Sequence, residues 1–201
     1  MSSSPPSSSS LPFELPLAIG GVLRGLQWAG TRAPILFVHD FTDTDDLDRW
    51  CGLPASVNLS GFTVLAIDLP GHGLSDGEST VSATREAIET CLTYLSETSE
   101  KKPLVAAAGA ACGLLPAIPL AASVLFSPAD VTGSETVIPK LIFVGANDPG
   151  ARSAADCYLR SSRGWTLVSS YATVAQGTDL LATEHALKIS SQAIAFLRDY
   201  G

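Results

Sequence analysis

The chain has 201 residues, of which 46% are hydrophobic and 16% charged. That balance describes one globular domain with a sizeable core and excludes a disordered chain. The net charge of −8 argues against nucleic acid or an anionic membrane as main partner, since either would be repelled.

Met1–Ser10 is rich in Ser and Pro and is expected to be a disordered tail. Residues 11–201 read as a single domain without internal repeats. The tail lacks the basic start and apolar run of a secretory signal, which makes the cytoplasm the default location. Phe13–Ala18 and Val22–Trp28, separated by Gly20-Gly21, read as a hairpin at a sheet edge. Pro34–Val38 (PILFV) is too short for a helix and too apolar for a half-exposed strand, so it is expected to be a strand buried on both faces. Thr63–Ile67, Leu104–Ala108, Val124–Phe126 and Leu141–Val144 have the same character.

Helices are predicted between these runs. One spans Thr44 to about Leu53, with Asp residues where the helix dipole favours negative charge. Another covers Val81–Leu95, with Ile88, Cys91, Leu92 and Leu95 on one face. A third closes the chain, with the stripe Ile189, Ala193, Phe196 and Leu197. The uncharged stretch Pro103–Ala129 is long enough for a membrane span. Its Gly and Pro residues suit a strand, turn, helix and strand in a buried core better. Alternating strands and helices imply an α/β fold with a mostly parallel central sheet and helices on both faces. Functional residues then gather at the carboxyl ends of the strands.

Those strand ends resemble the α/β-hydrolase superfamily, esterases and lipases in particular, from about Phe13 to the C-terminus. The most specific segment is Asp68–Gly77, DLPGHGLSDG, similar to the family's DxPGHGxS turn; Gly71 and Gly73 allow the chain to leave the strand sharply. The second is Val38–Phe41, VHDF, where the family usually has His-Gly followed by a donor to the oxyanion hole. The resemblance makes Phe41 that donor and puts Asp40 in the glycine's place. A carboxylate there disfavours a developing oxyanion if it faces the site.

The third segment, Gly109-Ala110-Ala111-Cys112-Gly113, follows a strand as the family's G-x-S-x-G nucleophile elbow does. In that register the serine position is Ala111, whose methyl group cannot attack a carbonyl, and the Cys112 N–H completes the oxyanion hole. The Cys112 thiol is the alternative nucleophile, provided it is exposed and activated; otherwise it packs the elbow. Pro116 and Pro119 are expected to shorten or bend the helix after the elbow. Leu141–Pro149, LIFVGANDP, resembles the acid loop and points to Asp148, which equally suits a helix cap ahead of Pro149. Val174–Leu181, VAQGTDLL, resembles the histidine loop with Gln176 in the histidine's place, and an amide does not take up a proton near neutral pH. His39 and His72 belong to the turns above, and His185 is expected several residues into the last helix.

Cys51, Cys91, Cys112 and Cys157 are widely spaced and form no C-x-x-C pair. Zinc therefore has no support, and either disulfides or buried free thiols remain open, the latter being simpler for a chain this long. Asp43, Asp45 and Asp46 superficially resemble a calcium loop but lack its glycine and terminal glutamate. No metal or cofactor is implied. The short segment Pro128–Pro139 stands where many relatives insert a lid, so no lid domain is expected. These features imply an inactive hydrolase relative that binds a small apolar ligand or a protein partner. The alternatives are an ester hydrolase using unconventional groups such as Cys112, or a structural role.

Overall fold

The computed structural model describes residues 9–41, 45–129 and 136–201; most of the N-terminal tail, Asp43 and Thr44 lie outside them. Eight strands form one sheet: β1 (Leu11–Pro16), β2 (Val22–Trp28), β3 (Arg32–Val38), β4 (Phe62–Ile67), β5 (Leu104–Ala108), β6 (Ser123–Phe126), β7 (Lys140–Gly145) and β8 (Thr166–Tyr171). Their spatial order is β1-β2-β4-β3-β5-β6-β7-β8. The predicted hairpin β1–β2 is antiparallel and lies at one edge. β2 joins β4 antiparallel, and every pairing beyond β4 is parallel.

Helices cover both faces, as α/β chain order requires. On β3, Leu36 and Val38 join the core layer that contains Ile88, Cys91, Leu92 and Leu95 of α2 (Val81–Glu97) and Tyr158 of α3 (Pro149–Ser161). Ile35 and Phe37 face the opposite layer, with Val57 of α1 (Leu53–Leu59) and the predicted stripe of Ile189, Ala193, Phe196 and Leu197 on α4 (Ala186–Tyr200). Strands of period two between two helical layers explain why the central runs are apolar throughout. No described helix is long and apolar enough to cross a membrane.

Three expectations need correction, and one strand and one helix lie outside all of them. The helix predicted from Thr44 is displaced: a 3₁₀ turn spans Leu47–Trp50, and α1 begins only at Leu53. Asp46 accepts from the Asp48 N–H, so the acidic stretch caps the short turn; left-handed Cys51 and Gly52 then interrupt the chain before Pro54 restarts it. The residues after β5 form a 3₁₀ turn, Gly109–Leu114, with no α-helix behind it, consistent with the two prolines that follow. Strand β8 and helix α3 had no counterpart in the apolar runs. β8 is an edge strand with mostly half-exposed side chains, and α3 buries mainly small residues, Ala151, Ala154 and Ala155, plus Tyr158. Finally, His185 precedes α4 at its N-cap instead of lying within it.

Candidate functional site

The site is built at the carboxyl ends of β3, β4, β5 and β7. After β4, Asp68 is buried and holds two loops. Its Oδ1 accepts from the Leu47 N–H at 2.9 Å and its Oδ2 from the Leu74 N–H at 2.9 Å. A side chain at Gly73, which has φ +49°, would run into that carboxylate. The glycine in the DLPGHG turn is therefore required for space as well as for its backbone angle. The turn is also fastened to the edge hairpin: Arg24 donates to the Leu74 carbonyl at 2.6 Å and pairs with Asp76 at 2.8 Å.

After β3, His39 is wholly buried. Its Nε2 accepts from the Leu69 N–H at 3.0 Å, which leaves Nδ1 to donate to the Asp40 carbonyl. Burial pulls its pKa down to about 4, so the ring is neutral at pH 7 and both nitrogens are engaged. The His72 ring packs edge-on against it at 5.2 Å. His72 Nδ1 lies 2.9 Å from the Asp45 carbonyl and its Nε2 2.9 Å from Ser79 Oγ. Neither imidazole is free to serve as a base on a substrate.

Asp40 faces the end of β5, the condition under which its charge opposes an oxyanion. Its Oδ1 accepts from the Ala110 N–H at 3.1 Å. Burial raises its pKa; the Ala110 N–H opposes that shift, Asp45 reinforces it, and the Phe41 N–H opposes it. The left-handed residue at this strand end is Gly109, with φ +56°, and not Ala111. Ala111, expected on the crest of the bend, is fully buried in the layer shared with α2 and α3. Cys112 is buried beside it, and its Sγ donates to the Ala107 carbonyl at 3.3 Å. Burial and the nearby Asp40 push this thiol's pKa up, the opposite of an activated thiolate. The N–H that engages an acidic group here is that of Ala110, where the sequence register had assigned Cys112.

Asp148 caps α3: its Oδ1 accepts from the N–H groups of Gly150 at 3.0 Å and Ala151 at 3.3 Å. The loop with Gln176 does lie beside the acid loop, since the Asn147 N–H donates to the Thr173 carbonyl at 3.0 Å. Gln176 itself is exposed and makes no capping bond at the head of the 3₁₀ turn Gly177–Ala182. The structure thus brings the two loops together without joining Asp148 to Gln176. Across the mouth, Arg49 links Asp45 at 3.3 Å to Asp179 at 3.5 Å. All four cysteines are free. Among the described residues no group of three His, Cys, Asp or Glu side chains is placed to hold a metal.

Sequence reasoning missed the Asp40–Ala110 contact and the role of Gly109. The available signal was a glycine directly after a strand whose last three residues are all alanine.

No family model matches the chain, and no curated protein matches it. Solved structures do. An esterase of Pyrococcus furiosus superposes with a TM-score of 0.78 at 13% identity, over 96% of this chain and 91% of that one. An esterase from Exiguobacterium antarcticum gives 0.76 at 9% identity, over 94% and 100%. An α/β hydrolase from Penicillium sp. sh18 gives 0.74 at 12% identity, over 96% and 99%. The chain therefore has the α/β-hydrolase fold. At these identities the likeness fixes the architecture and leaves the chemistry to the site.

Proposed function

We propose that this is a non-catalytic α/β-hydrolase-fold protein with a binding or scaffolding role. One observation carries the reading: from Gly109 through Ala111 the bend after β5 offers no hydroxyl or thiol, and the first candidate beyond it, Cys112, is buried and bonded to a main-chain carbonyl. The nearby Ser127, at the end of β6, does not replace it. Its turn is tied to the bend through the Ala129 N–H and the Gly109 carbonyl at 3.1 Å. Its hydroxyl, however, is buried without a hydrogen-bond partner among the described residues, so no base activates it. Gln176 in the histidine loop supplies no base either. The positions proposed to correspond to the triad in sequence are Ala111, Asp148 and Gln176: the serine and histidine are missing, while the acid is retained and caps α3.

A small apolar ligand is favoured by a cavity of about 330 Å³ next to Cys112, lined mainly by Leu115, Ile118, Leu120, Leu125 and Tyr158. The cytoplasm is the compartment proposed, in keeping with four unpaired thiols. Hydrolysis of 4-nitrophenyl acetate and butyrate tests the reading: rates with the protein should equal those of buffer, with or without iodoacetamide. Turnover abolished by the thiol reagent would replace this proposal with catalysis by Cys112. Turnover that survives it would point to a different nucleophile and overturn the proposal equally.

A further inference from the structure

We propose that Gly109 stands where hydrolases of this fold carry their nucleophile, and that the Asp40 carboxylate permanently fills the seat of the substrate oxyanion. The inference rests on the non-catalytic reading above and gives it a cause.

Three observations on different atoms converge. A nucleophile elbow is a sharp turn directly after a strand, with its reactive residue in a strained conformation. Here the residue directly after β5 is Gly109, and it is the one with left-handed φ, +56°. In an elbow, the N–H of the residue after the nucleophile serves the oxyanion, together with an N–H from the loop after the neighbouring strand. The corresponding groups are the N–H of Ala110, which donates to Asp40 Oδ1 at 3.1 Å, and the N–H of Phe41, which also favours the ionised Asp40 side chain. Lastly, a Cβ built on Gly109 would overlap the carboxyl group of Asp40.

A side chain at 109 and the Asp40 carboxylate in its present position thus exclude each other, so that one of them must shift. A hydrolase needs the first and keeps the donors free for a charge that appears only during reaction. This chain lacks the first, and its own acidic side chain already engages the Ala110 donor. An acyl substrate would meet donors already engaged and a negative group where its own negative charge must grow.

The mutual exclusion is measured with Gly109→Ala in two backgrounds. In the native chain it should lower Tm by about 4–10 °C, the added methyl group being driven into Asp40. Combined with Asp40→Gly, it should cost only the left-handed backbone penalty, about 2–8 °C, and so less than in the native chain. Equal losses in both backgrounds overturn the proposal. Folding of the double variant where Gly109→Ala alone does not fold supports it. A second measurement needs no variant: the Ala110 amide resonance should move with the same midpoint as the Asp40 carboxyl carbon in a pH titration. An Ala110 resonance indifferent to that titration sinks the assignment even if neither variant folds. Neither readout involves ester turnover, so failure here is distinguishable from failure of the non-catalytic reading.

Discussion

Lys140, the first residue of β7, keeps only 2% of its surface in contact with solvent. Its Nζ donates to the carbonyls of Thr136 at 2.7 Å and Ile138 at 3.0 Å and to Ser162 Oγ at 2.9 Å. No ion pair accompanies it among the described residues, and burial lowers its pKa from 10.5 to about 8. The unfolded chain therefore binds more protons than the folded one between pH 8 and 10.5, and folding stability contributed by this group rises with pH across that window. Below pH 8 the full cost of the buried charge is present. Urea midpoints of the native chain and of Lys140→Met, compared from pH 7 to pH 10, should shift in favour of the native chain as pH rises; a constant difference would show that Lys140 does not titrate there. At this scale the sequence was partly legible. Asp40 stood out because a carboxylate replaced an expected glycine. Gly109 did not, because a glycine that opens a motif looks the same whether it flanks the crest or forms it.

Helix α3 shows what one capping residue does for an element. Asp148 has extended backbone angles, accepts from two first-turn N–H groups and is followed by Pro149, whose fixed φ suits the first helical position. Asp148→Ala should cost about 1 kcal/mol, lowering Tm by about 2–4 °C, while Asp148→Asn should keep most of the stability. Equal losses for both in a thermal melt would mean that the charge, and not the cap, is what matters. Strands sandwiched between helices were legible as unbroken apolar runs. β8 was not: Leu167 is 44% exposed, and an edge strand has no such run to display. The turn at Leu47–Trp50 escaped too, because Asp residues announce a capped start without saying whether 3₁₀ or α geometry follows.

The molecule as a whole was readable from its alternation of strands and helices, since parallel strands with right-handed crossovers leave few topologies to choose from. The order in which β1 to β4 are laid side by side was not. It depends on pairings such as Gly25 with Ile67, which pattern does not reveal.

That order bears on how the chain is born. Strand β3 sits between β4 and β5, so a nascent polypeptide that has emerged only to residue 100 holds β1 to β4 yet leaves one flank of its most central strand bare. β5 covers that flank, and from β6 onward each new strand adds beside the one made before it, a sequential growth in which every step closes the edge left by the last. Ribosome-stalled chains should therefore be digested readily while residue 100 is the last outside the tunnel, and gain resistance once residues 104–108 emerge. Resistance already complete at residue 100 would mean that the first four strands form a self-sufficient unit.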